Sequence, residues 1–139
     1  MSFKQEKYPQ LMVYLTVRNC ENSIEFYKKA FGFVLCNSMV GEDGTIFHAE
    51  LKYGDAFVMM APEGAWNDTI HKAPVTLGVA ASTVFYVYTQ DVDAFYQQAI
   101  AAGAKSILEP QDSSWEDRFC RIMDPEGYEW MFATFLGKK

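Results

Sequence analysis

Cysteine is scarce in this chain, and what there is lacks pairing logic. Cys20, Cys36 and Cys120 are odd in number and show no Cys-x-x-Cys spacing, so neither a disulfide framework nor a zinc knuckle is indicated. Buried, reduced thiols are the reading they support. Histidine is scarcer, with only His48 and His71. No segment approaches the roughly 20 consecutive apolar residues that a membrane-spanning helix needs. Met1–Lys7 has no apolar stretch of the signal-peptide kind, so a soluble, cytoplasmic protein is expected. Basic charge is short too: 12 Lys and Arg stand against 18 Asp and Glu, for a net charge of -6. Without a basic stripe the chain has no means of neutralising a phosphate backbone, so nucleic acid and anionic membranes are not expected partners. A Gly-rich phosphate loop and a Gly-x-Ser-x-Gly nucleophile turn are both missing.

Apolar and aromatic residues are plentiful. Half of the 139 residues are hydrophobic and 16% are aromatic, which argues against disorder and for a packed core within one domain. The chain also repeats itself. Phe26-Tyr27-Lys28-Lys29-Ala30, followed by Gly32, is echoed 69 positions later by Phe95-Tyr96-Gln97-Gln98-Ala99, followed by Gly103. Each copy follows a β-branched and aromatic run, Val13–Val17 and Val84–Tyr88, that reads as a strand. Ile24, Tyr27, Lys28 and Phe31 fall at helical spacing, as do Val92, Phe95, Tyr96 and Ala99. Asn22 or Ser23 is expected to cap the first helix and Gln90 or Asp91 to begin the second. Gly32 and Gly103 stand where a left-handed residue would end each.

Three strand-like runs follow each helix. They are Val34–Val40, Thr45–Leu51 and Ala56–Met60 in the first half, and Ser106–Glu109, Phe119–Met123 and Tyr128–Phe135 in the second, with Asp124-Pro125-Glu126-Gly127 as the last turn. The pattern is βαβββ twice over, an α+β fold whose two open mixed sheets are expected to form one curved surface with a concave cleft. The first module is placed at about residues 8–62, an irregular linker at about 63–81 and the second module at about 82–136, all within one domain.

The paired βαβββ repeat, with the run from Ser23 to Phe33 and the Asp124–Gly127 turn, resembles the vicinal oxygen chelate superfamily, which includes glyoxalase I, bleomycin-resistance proteins and extradiol dioxygenases. Phe47–Leu51 with Gly54-Asp55, Asp91–Ala94, Trp115–Phe119 and Asp124–Trp130 look most like its PhnB-like branch. The resemblance implies two modules per chain, a homodimer, and a cleft lined by the concave sheet. The activity stays open, since one scaffold hosts isomerases, transferases, dioxygenases and sequestering proteins. Metal-dependent members bind a divalent ion through His, Glu or Gln on four strands. Carried onto this sequence, those positions fall on Met12, Met59, Val84 and Met131. All four are apolar, and thioethers do not suit zinc, nickel, manganese or iron, so no metal and no other cofactor is expected.

Alternation turns Glu129, Met131 and Ala133 to one face of the last strand, and Tyr128, Trp130 and Phe132 to the other. The expected cleft carries Met12, Tyr14, Met59, Val84, Tyr86 and Met131, with His48, Glu50, Arg121 and Glu129 as polar groups. Such a floor suits a partly aromatic organic ligand, although methionines at this spacing also fill cores. Trp66 and Trp115, in loop-like segments, suit ligand stacking, a lid or a dimer contact. Arg118 and Arg121 suit a carboxylate or phosphonate. Arg118 equally suits pairing with Asp117, Glu116 or Asp124. His48, near Glu50, is the one candidate for acid–base work, and a plain surface pair gives the same pattern. The sequence thus points to a metal-independent protein binding a small organic molecule. Its alternatives are a metal-free lyase or isomerase with His48 as general base, a metalloenzyme if the four ligand positions are misaligned, and an interaction module derived from one.

Overall fold

A computed structural model describes residues 2–137. In chain order the elements are β1 (Val13–Val17), α1 (Cys20–Phe31), β2 (Val34–Val40), β3 (Ile46–Tyr53), β4 (Ala56–Pro62), α2 (Pro74–Leu77), β5 (Val84–Tyr88), α3 (Val92–Ala101), β6 (Lys105–Asp112), β7 (Asp117–Met123) and β8 (Glu129–Phe135). The fold is α+β, with two four-stranded mixed sheets ordered β1-β4-β3-β2 and β5-β8-β7-β6. In each sheet the first strand runs parallel to the last and the rest are antiparallel. The chain divides into two compact units. One comprises the chain up to Lys28 together with Gly32–Ala73, the other Lys29–Phe31 together with the chain from Pro74 onward.

In the first unit, strand alternation sorts the sheet into two faces. Leu15, Val17, Ala49, Leu51, Val58 and Met60 are all buried. Tyr14, Thr16, His48, Glu50, Met59 and Ala61 point the other way, where Tyr14 stands opposite Met59 and Met59 opposite Glu50. The cap of α1 differs from expectation. Asn19 is the capping residue, its side chain accepting from the Asn22 backbone N–H, so Asn22 and Ser23 lie inside the helix. Three polar residues compete for the position, and the buried Cys20 fixes the helix start one turn earlier than either alternative. Gly32 ends α1 at φ 69°, as predicted.

The second unit repeats the plan. Asp91 caps α3 by accepting from Ala94 N–H. The cap is Ala102 in a right-handed conformation, one residue before the expected Gly103, which itself takes positive φ (110°). α3 lies against β6, β7 and β8, where Phe31, Phe95, Trp130 and Phe132 pack ring on ring. The Phe95 and Phe132 centroids are 4.0 Å apart, and those of Phe31 and Phe132 4.8 Å. Asp124 organises the last turn. Its Oδ1 accepts from the backbone N–H groups of Glu126 and Tyr128, and its Oδ2 from the indole of the buried Trp130.

Several strands outrun their predicted ends: β3 continues to Tyr53, β4 to Pro62, and β6 spans Lys105–Asp112. Strand pairing carries β3 and β6 through polar residues that hydropathy alone does not mark, and β4 through Ala61 and Pro62 opposite Thr16 and Val17. The expected linker also carries structure, a 3-10 turn at Ala65–Asn67 and the short α2. Each unit holds one buried cysteine, Cys20 in the first and Cys120 in the second, while Cys36 is exposed on β2.

Candidate functional site

A cavity of about 670 Å³ opens in the first unit, lined by Tyr14, Thr16, Met39, His48, Ala61, Pro62, Gly64, Ala65, Trp66, Asp68 and His71. β1, β3 and β4 supply its floor from the face opposite Leu15 and Leu51, and the segment after β4 supplies its wall. That segment is bent unusually. Gly64, Trp66 and Asn67 all take positive φ (86°, 59° and 60°), a conformation that costs a non-glycine residue about 1 kcal/mol or more. The bend presents Trp66, 61% exposed, at the cavity, its ring edge-on to those of Phe47 and His48.

Polar groups lining the cavity, Tyr14 and His48, are tied to Glu50 and Tyr8 behind its lining. His48 and Glu50 are buried, at 7% and 5% exposure, whereas Tyr14 is half-exposed. His48 Nε2 lies 3.0 Å from Glu50 Oε2, and its Nδ1 lies 2.9 Å from the Tyr14 hydroxyl. The Tyr8 hydroxyl donates to the second Glu50 oxygen at 2.5 Å. Burial works to raise the Glu50 pKa, but the hydrogen bonds from Tyr8 and His48 outweigh it and hold the carboxyl below its ordinary value. Glu50 is therefore a pure acceptor, which assigns a proton on His48 Nε2 to that bond; in the tautomer carrying that proton alone, Nδ1 accepts from Tyr14. Burial is the main cause holding the Tyr14 phenol above its usual pKa. At the rim, Asp68 accepts from the backbone N–H groups of His71 and Ile70 and from the His71 ring, which together lower its pKa to about 2.

The second unit carries a related constellation. Val84, Tyr86, Arg121, Glu129 and Met131 share a sheet face, with Tyr86 opposite Met131 and Val84 opposite Glu129. Tyr86 and Tyr88 both donate to one oxygen of Asp117, at 2.5 and 2.8 Å, and the Trp115 indole donates to the Tyr86 oxygen at 2.9 Å. Asp117 is 1% exposed. Arg121 is closed onto Glu129 at 2.7 Å. Arg118 pairs with Asp93 and Asp112 rather than with Asp117, Glu116 or Asp124, because β7 alternation turns it away from Asp117 and its fork reaches the α3 and β6 carboxylates instead.

Of the residues singled out in the sequence, Tyr14, His48 and Trp66 come together at the first unit's cavity. Met59 shares their sheet face without lining it, and Met12 lies just ahead of β1. Val84, Tyr86, Trp115, Arg121, Glu129 and Met131 form the second unit's group. Sequence reasoning missed Met39, Asp68, His71 and Tyr8, which reach the site by loop paths and edge pairing that no periodicity marks. Asp117 was missed too, although its strand parity with Arg121 could have marked it.

The divalent ion that the resemblance implies for metal-dependent members finds no matching donors. Met12 and Met59 in the first unit, and Val84 and Met131 in the second, offer thioether or alkyl groups. Among the described residues no three His, Cys, Asp or Glu side chains group so as to hold a metal ion.

The model of the Glyoxalase/Bleomycin resistance protein/Dioxygenase superfamily matches residues 9–132. The uncharacterized protein Rv0887c of Mycobacterium tuberculosis (strain ATCC 25618 / H37Rv) is 34% identical over 125 residues, which span 88% of this chain and 72% of that protein. Among solved structures, TioX from Micromonospora sp. ML1 is similar with a TM-score of 0.69 and 25% identity, covering 91% of this chain and 99% of that one. A glyoxalase/bleomycin resistance protein/dioxygenase from Nocardioides, 21% identical with a TM-score of 0.63 over 94% of this chain and 86% of its own, shares the fold. With its repeat, its sheet order and a family match across nearly its whole length, this chain belongs to the glyoxalase/bleomycin resistance protein/dioxygenase superfamily.

Proposed function

We propose that the protein binds a small, partly aromatic organic molecule, without a metal ion, in the cavity of its first unit. The observation that carries this reading is the placement of Trp66. Backbone held in a disfavoured conformation to project a large, mostly exposed aromatic ring over a cavity is costly for packing alone and useful for stacking. The volume of about 670 Å³ suits a drug-sized molecule. Met39 at the wall adapts to irregular shapes. The net charge of -6 favours approach of a cation.

Within the superfamily this reading assigns the chain to the PhnB-like branch, on its Trp115–Phe119 and Asp124–Trp130 segments. A second copy of the chain as partner belongs to the same reading, supported by exposed Val34, Leu35, Met39 and Val40 on the edge strand β2. So does a cytoplasmic setting, supported by three free thiols.

Titration with two planar probes tests the reading: proflavine, a cation, and 1-anilinonaphthalene-8-sulfonate, an anion. Saturable one-to-one binding of proflavine, read by quenching of tryptophan fluorescence and by calorimetry, is the expected result. Saturation by neither probe would overturn it.

A further inference from the structure

We infer that Tyr14, His48 and Glu50 form a proton relay that makes the Tyr14 hydroxyl a nucleophile toward an electrophilic carbonyl carbon of an aromatic ligand, a role that rests on the first unit's cavity being a ligand site. The three side chains stand in the order such chemistry needs: a hydroxyl facing the cavity, a buried base within 2.9 Å of it, and a buried carboxylate 3.0 Å from the far side of that base. Tyr8 anchors the remaining Glu50 oxygen. The base itself is not presented to the cavity for direct work, because both ring nitrogens are engaged. Its proton traffic runs through Tyr14.

The step balances without a co-reactant. The Tyr14 oxygen bonds to the carbonyl carbon as its proton passes to His48 Nδ1, and the bond from that carbon to its leaving aryloxide breaks with its electron pair. The imidazolium so formed is held by Glu50, a positioning residue. A tyrosine whose phenol is kept protonated by burial has no free phenolate to offer, so transfer to the imidazole in the same step is what makes its oxygen reactive.

The second unit supplies an internal control. Tyr86 occupies the matching place on β5, faces a methionine on the neighbouring strand as Tyr14 does, and is similarly exposed (40% against 51%). Its hydroxyl meets the Asp117 carboxylate instead of an imidazole. Carboxylates are ordinarily weaker bases than imidazole by about 2.5 pKa units. Asp117 can hold the Tyr86 proton but is poorly suited to remove it.

The test treats the full-length protein with p-nitrophenyl acetate, follows p-nitrophenolate release, and maps acetylated tyrosines by peptide mass spectrometry. Tyr14 is expected to be acetylated about a hundredfold faster than Tyr86, with a burst of p-nitrophenolate that Tyr14→Phe removes. His48→Gln and Glu50→Gln should each slow Tyr14 without changing Tyr86. The wild-type ratio of the two tyrosines needs no variant, so it decides the matter even if a substitution prevents folding. Equal rates at the two tyrosines would overturn the relay. Titration of the same sample with both planar probes separates the two readings. Saturation by either probe with equal acetylation overturns the relay alone, selective acetylation of Tyr14 with saturation by neither probe upholds it and overturns the dye-binding reading, and failure of both overturns both.

Discussion

The Tyr86 hydroxyl donates to the Asp117 carboxylate at 2.5 Å, and the pairing locks a half-exposed phenol to a carboxylate that water barely reaches. Burial, and then the Asp117 hydrogen bond, push the Tyr86 pKa up to about 12 from an ordinary 10.0. The folded state thus favours the protonated phenol more than the unfolded chain does. Its contribution is complete below pH 10, and is lost as the pH climbs through about 12. Spectrophotometric titration should find phenol ionisation extending to about pH 12, and Asp117→Asn should move the latest part of it back toward the ordinary value.

Glu50, a buried carboxylate, contributes on the acid side with the opposite sign. Its carboxyl is held below an ordinary 4.5, so the stabilisation is present above that value and drains away as the pH falls through the lower, folded one. Thermal melts taken from pH 7 down to pH 3 should show a decline in Tm that begins near pH 4.5. Glu50→Gln should flatten that decline and lower the Tm at pH 7.

Trp66 offers a separation of binding from stability. Replacing it with glycine removes the ring and also relieves the left-handed backbone at φ 59°. Proflavine affinity should fall about tenfold, in line with the loss of one aromatic stacking partner. The Tm should stay level or rise. A fall in both would mean that the ring serves packing.

Two glycines with similar backbone angles should respond differently to alanine. At Gly127 (φ 96°) an added Cβ would meet the Pro74 Cβ at 3.0 Å and the Val75 backbone nitrogen at 3.1 Å, whereas at Gly44 (φ 83°) it meets nothing within 4 Å. Gly44→Ala should cost about 1 kcal/mol from conformation alone. Gly127→Ala should cost about 2 kcal/mol more, because a backbone atom cannot yield as a side-chain tip does. Urea unfolding of the two variants checks the difference.

The repeat was the most legible feature of the sequence. Val13–Val17, Val34–Val40 and Val84–Tyr88 begin and end where β-branched and aromatic residues do, because for those strands composition and ladder coincide. β6 was less legible. Its Lys105, Pro110, Gln111 and Asp112 lie on a sheet edge, where polar side chains and a proline are tolerated and hydropathy falls silent. At the site, Tyr14 and His48 followed from strand parity. The cavity wall did not, because Gly64 and Asn67 accept positive φ by residue type but Trp66 does not, and its conformation between them is set by tertiary packing.

The cysteines turn the molecule into its own two-channel recorder. Cys20 sits at 1% exposure in one unit and Cys120 at 0% in the other, each sealed from thiol reagents until its own surroundings open, while Cys36 reacts from the start and counts chains. Pulsed alkylation along a denaturant ramp would therefore timestamp the opening of each half separately, and a shared onset would show that two ancestral repeats have become one cooperative unit.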